Sequence, residues 1–123
     1  MSVDDRQEQL IAVYGTLKRG EVNAHWLHGA RYLGVDHLPQ ITLYNLGPYP
    51  GAQLRASTGV PVEVYALNAQ QLRRVDELED YDALVPARGL YDRQQLPTRF
   101  GAAWVYLYNG CVRQHPVIAA WPA

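Results

Sequence analysis

An α+β domain, with a small mixed β-sheet curled into a barrel-like core and a few short helices, is the fold class the sequence predicts. Three observations carry that expectation. Strand-like runs outnumber helical ones along the 123 residues. The clearest helical pattern, residues 68–79, sits between two pairs of those runs, which suits a helix laid on a sheet. Nine tyrosines stand against one phenylalanine. Tyr buries its ring and keeps a hydroxyl for hydrogen bonding, so it suits strand faces and polar pockets.

The elements follow in order. Residues 10–14 (LIAVY) form an apolar run that breaks at Gly15 and read as the first strand. Residues 22–29 (VNAHWLHG) read as a short helix closed by Gly29. Residues 30–36 and 40–46 read as strands. Residues 47–51 (GPYPG) carry turn chemistry. Residues 62–67 (VEVYAL) read as a strand introduced by Gly59 and Pro61. Asn68 then stands where a helix cap belongs, with Gln71 three residues on in a capping-box arrangement. Residues 90–96 and 102–108 alternate as strands do. The tail, with Pro116 and Pro122, reads as a surface strap. No repeat or low-complexity tract interrupts residues 1–123, which read as a single domain.

Composition narrows the function classes. Hydrophobic residues make up 48% and charged residues 19%, enough for a packed core rather than a disordered chain. The formal net charge is −1, so no basic stripe points to nucleic acid or to an acidic membrane surface. No apolar run approaches the length of a membrane span. The polar, acidic start (MSVDDRQEQ), with Asp4 and Asp5 as a solvated tail, does not read as a signal peptide. Cys111 is the single cysteine and has no internal disulfide partner, which fits a reducing, cytoplasmic location. The size of the domain permits a monomer, and tyrosine-rich faces permit a homodimer.

One residue on the predicted helix is out of place. With Leu72 at zero and about 100° per residue, Val75 falls near −60° and Leu78 near −120°. Glu79 falls near −20°, inside the apolar stripe, and Asp76 near +40°, on the same side. A carboxylate is unwelcome on such a stripe for stability alone. Burial, the negative end of the helix dipole and the neighbouring Asp76 would each raise its proton affinity. A glutamate tuned upward in this way suits a general base near neutral pH. The structural alternative is that Glu79 turns out to water, or pairs with Arg88 or Arg93.

Two motifs, read together, resemble the gamma-glutamylcyclotransferase-like family, nearest to its small bacterial members and the gamma-glutamylamine cyclotransferases. They are VYGTLKRG (residues 13–20) and VDELEDY (residues 75–81). Further pieces agree in order: GEVN (20–23), LGPYPG (46–51), VEVYAL (62–67), LYDR (90–93) and AAWVYLYNG (102–110). The resemblance covers roughly residues 10–110. It implies a barrel-like α+β fold. It also implies a substrate loop made by Tyr14, Gly15, Thr16 and Leu17, with Glu79 as catalytic acid/base and Tyr91 beside the pocket. Three features depart from the family pattern: Val75 stands where Leu is usual, Asp80 where Gly is usual, and residues 82–89 are longer than expected.

The activity implied is an intramolecular aminolysis that releases 5-oxoproline from a small γ-glutamyl substrate. The substrate carries its own amine nucleophile, so neither cofactor nor metal is expected. Backbone N–H groups around Gly15 would anchor the glutamyl carboxylate, and the Thr16 hydroxyl would add a hydrogen bond. Specificity is expected from a pocket mouth built by residues 46–55 and 81–89. The alternative from another class is a catalytically idle small-molecule binding or protein-interaction module of the same fold. His25 and His28 lack a third metal ligand at a recognised spacing and read as surface or packing residues. Cys111 reads as structural, and Trp26, Trp104 and Trp121 as core or lid residues.

Overall fold

A computed structural model describes residues 8–123; Asp4, Asp5 and the rest of the acidic start lie outside the described residues. Strands β1 (Gln9–Val13), β2 (Arg31–Leu38), β5 (Val60–Leu67), β6 (Tyr91–Thr98) and β7 (Gly101–Tyr108) form one sheet in the order β2-β5-β1-β7-β6. It is mixed: β1 runs parallel to β7, and the other pairs are antiparallel. Strands β3 (Ile41–Asn45), β4 (Pro50–Leu54) and β8 (Val117–Ile118) form a second sheet in the order β4-β3-β8.

Alternation along the strands gives the larger sheet two buried faces. Ala12, Val62, Val64, Ala103 and Val105 point to the small sheet and pack with Ile41, Leu43 and Ala52. Ile11, Val13, Tyr65 and Tyr106 point the other way, onto the helix α1 (Ala69–Leu78) through Leu72 and Val75. The large sheet curls because its far corners meet. The turn after β6 reaches β2, where the Arg99 N–H donates to Asp36 Oδ2 at 2.9 Å and Phe100 lies over Gly34. A Cβ on Gly34 would stand 2.7 Å from the Phe100 ring. The result is barrel-like, made of two sheets rather than one closed ring.

Helix α1 starts as its sequence requires. The Gln71 N–H donates to Asn68 Oδ1 and the Asn68 N–H to Gln71 Oε1, each at 2.8 Å. It ends in a Schellman motif, in which the Tyr81 N–H donates to Asp76 O and the Asp80 N–H to Glu77 O. Asp80 is therefore the left-handed residue, with φ 53°. This accounts for the glycine usual at that position in the family pattern: only glycine takes that conformation freely, and aspartate tolerates it better than most.

Four expectations need correction. The segment read as a pure turn at residues 47–51 ends inside a strand, because Pro50 and Gly51 open β4. Pro is tolerated there since β4 is an edge strand. The helix expected at residues 22–29 is a single 3-10 turn, Ala24–Leu27. The tail is more than a surface strap: β8 completes the small sheet, and Ile118 and Trp121 pack on the inter-sheet core. Cys111 is exposed, so it has no packing role. Trp26 and Trp104 pack against the helix-side core. No helix among the described residues is long and apolar enough to cross a membrane.

Candidate active site

The end of β1, the end of α1 and the turn before β4 converge on a cavity of about 240 Å³. All six residues singled out in the sequence line it: Tyr14, Gly15, Thr16, Leu17, Glu79 and Tyr91. Val22, Pro48, Tyr49, Pro50, Leu78 and Leu90 add a largely apolar wall. The expected mouth is thus half met: residues 48–50 contribute, and none of residues 81–89 does.

The loop after β1 is a built object. The Lys18 N–H donates to Gly15 O at 3.1 Å and the Asn23 N–H to Thr16 O at 2.8 Å. Asn23 Nδ2 donates to Thr16 Oγ1 at 3.0 Å, which leaves the threonine's own proton free to point into the cavity. The N–H groups of Gly15, Thr16 and Leu17 donate to no other described residue. Gly15 lies flat on Pro50, so that a Cβ there would come 2.6 Å from Pro50 Cγ. The two charged residues that follow turn away. Lys18 Nζ donates to the Trp121 carbonyl. The Arg19 guanidinium sits 3.9 Å over the Tyr32 ring, and the Arg19 backbone N–H donates to Glu63 Oε1.

Glu79 is the C-cap of α1, held by its own N–H to Val75 O at 2.9 Å. Its side chain lines the cavity and makes no ion pair among the described residues. Burial pushes its carboxyl up from 4.5 to about 7, and the neighbouring Asp76 charge adds to the shift. Arg93, the partner considered from sequence, is taken by Asp76: Arg93 Nε lies 3.0 Å from Asp76 Oδ1. The same oxygen accepts from the Tyr106 hydroxyl at 2.6 Å.

The tyrosines brace the walls. The Tyr14 hydroxyl donates to Tyr106 O at 2.8 Å and accepts from the Ala52 N–H at 3.2 Å. The Tyr91 hydroxyl donates to Pro50 O at 2.7 Å, so Tyr91 is fixed as wall. Burial raises the pKa of both hydroxyls further above the ordinary value, and Tyr14 and Tyr91 stay neutral. The sequence did not reveal Tyr106 or the role of Asn23, since each reaches the cavity through pairing or a turn rather than a local pattern.

A small α+β protein, with one unpaired carboxyl and a row of free amides lining a ligand-sized cavity, is the class this geometry defines. The family model "Gamma-glutamyl cyclotransferase, AIG2-like" matches residues 11–121, and the chain belongs to that family. It is 40% identical over 101 residues to the Escherichia coli K12 gamma-glutamylcyclotransferase family protein YtfP, covering 80% of this chain and 81% of YtfP. The solution structure of Escherichia coli ytfP superposes with TM-score 0.72 at 34% identity, covering 93% of this chain and 96% of that one. The Niallia circulans gamma-L-glutamyl-butirosin B gamma-glutamyl cyclotransferase is 33% identical over 102 residues, 79% of this chain and 65% of that protein.

Proposed function

We propose that the protein is a cofactor-independent cyclotransferase that cleaves a γ-glutamyl amine or γ-glutamyl peptide-like substrate to 5-oxoproline and free amine. The observation that carries this reading is the Glu79 carboxyl, unpaired, facing the cavity and shifted to about 7. In the proposed reaction the glutamyl α-ammonium gives one proton to the Glu79 carboxylate. The freed amine attacks its own γ-carbonyl, a five-membered ring forms, and the ring nitrogen sheds its second proton to water. Glu79 returns the proton to the departing nitrogen, the old C–N bond breaks, and the carboxylate is restored. A carboxyl titrating near neutrality both takes and returns a proton at little cost. Holding the glutamyl chain bent supplies much of the remaining rate enhancement.

The free N–H groups of Gly15, Thr16 and Leu17 support an anchor for the α-carboxylate, since successive backbone amides form an anion-binding concavity. The name of the Niallia circulans relative supports the same bond on a larger amine. The test is 5-oxoproline release from γ-glutamyl amino acids, glutathione, ε-(γ-glutamyl)-lysine and simple γ-glutamylamines, with Glu79→Gln in parallel. Release that needs Glu79 supports the proposal. Binding without release from every compound would instead favour an idle binding module.

A further inference from the structure

Behind Glu79 lies a polar cluster that the reaction as written does not use. Asp76 Oδ1 accepts from the Tyr106 hydroxyl at 2.6 Å and forms an ion pair with Arg93, whose Nε lies 3.0 Å away. The Arg93 guanidinium is stacked 4.0 Å from the Trp104 ring and 4.6 Å from the Tyr81 ring. Its side chain is 14% exposed and that of Asp76 15%. Arg93 Nε and Nη1 are both buried with no hydrogen-bond partner among the described residues, so Arg93 holds Asp76 by charge rather than by a hydrogen bond. As a fastener between α1 and β6 this is an expensive arrangement. An apolar pair of the same volume would hold as well without desolvating two charges and stranding a donor.

The cluster's placement gives it a use. Asp76 precedes Glu79 by three residues, so both carboxyls lie on one face of the helix. We propose that Arg93 is a positioning residue for the reaction: with Tyr106, it holds Asp76 as a half-buried anion one helical turn before Glu79, and that charge tunes Glu79's proton exchange. The inference rests on the reading of Glu79 as the acid/base.

The groups around Glu79 leave Asp76 as the tuning charge. From the end of β1 it faces Tyr14, from β6 Tyr91, from β7 Tyr106 and from the turn before β4 Tyr49. Burial keeps Tyr14, Tyr91 and Tyr106 neutral. Lys18 and Arg19, on the neighbouring loop, are turned to Trp121 and Tyr32. Burial also raises the pKa of Asp76, while Tyr106 and Arg93 oppose that shift. Without the guanidinium, Asp76 takes up a proton more readily, and its charge beside Glu79 is weakened. Glu79 then becomes more acidic.

The experiment is a carbon-13 NMR titration of the Glu79 carboxyl, assigned with Glu79→Gln, in the parent, Asp76→Asn, Arg93→Met and Arg93→Lys. The midpoint falls by roughly one pH unit in Asp76→Asn and Arg93→Met and stays near the parent in Arg93→Lys. The acid limb of 5-oxoproline release moves with it. A purely structural cluster would change melting temperature and leave the midpoint where it was. An unmoved midpoint in folded Asp76→Asn overturns the proposal, and that variant decides if Arg93→Met does not fold. The titration needs no substrate. A shifted midpoint in a protein that releases no 5-oxoproline would overturn the cyclotransferase reading while leaving the electrostatic coupling intact.

Discussion

Toward the small sheet, the large sheet presents Ala12, Val62, Val64, Ala103, Val105 and Leu107. Toward α1, strands of the same sheet present Tyr65, Tyr91, Trp104 and Tyr106. The first layer is mainly aliphatic, with Tyr14 its one ionisable side chain. The second carries hydroxyls, an indole and the Asp76–Arg93 pair, and opens at one end into the cavity. Tyr14 links them: its ring packs in the aliphatic layer and its hydroxyl ties Ala52 on β4 to Tyr106 on β7. The difference explains the tyrosine-rich composition. A wall that must be apolar in body and fixed in place is well made from rings whose hydroxyls are tied to the backbone. One layer supplies stability, and the other gives some of it up for a site.

The largest effect that separates the layers is Glu79→Gln. It lowers 5-oxoproline release by about 10²–10⁴-fold. It also stabilises the protein at pH 8. A carboxyl shifted upward on folding costs nothing below its unfolded value near 4.5, and its penalty grows as pH rises to about 7. Relief of up to about 3 kcal/mol at pH 8, fading toward pH 4.5, is the expected pattern in chemical denaturation. The mirror experiment is Leu43→Ala, at a fully buried position of the aliphatic layer. It costs about 2–5 kcal/mol and leaves the pH dependence of turnover unchanged. A large change in pH dependence there would erase the distinction between the layers.

Smaller effects sharpen the boundary. Gly15→Ala drives a methyl group into Pro50. It costs about 1–3 kcal/mol and raises KM, because the same movement displaces the loop's amides. Asp80→Ala loses about 1 kcal/mol by forcing alanine into a left-handed conformation. Asp80→Gly stays within roughly half that of the parent, since glycine's relief is offset by its greater freedom when unfolded. Thermal melts and kinetics on this pair tell whether the helix end is a turn that any permissive residue can make.

Local signals carried much of this organisation. The capping box at Asn68 and Gln71, the apolar stripe with Glu79 upon it, and the break after Tyr14 are all patterns within a few residues, and the fold contains each. What was not legible depends on distant partners. Strand β8 is two residues long and exists because β3 offers it an edge. Strand β4 was hidden behind the Pro-Tyr-Pro-Gly turn that opens it. Arg93 was visible as an ion-pair partner, and only the packing of β6 against α1 assigns it to Asp76 instead of Glu79. The free amides of the first loop were an expectation from glycine and the family resemblance, and their freedom depends on the turn that Lys18 and Asn23 close.

The most direct test of the central claim is the pH dependence of kcat/KM for 5-oxoproline release. The account predicts an acid limb with its midpoint near 7, and turnover lost in Glu79→Gln. A rate that is flat from pH 5 to 8, or a Glu79→Gln variant as active as the parent, would contradict it.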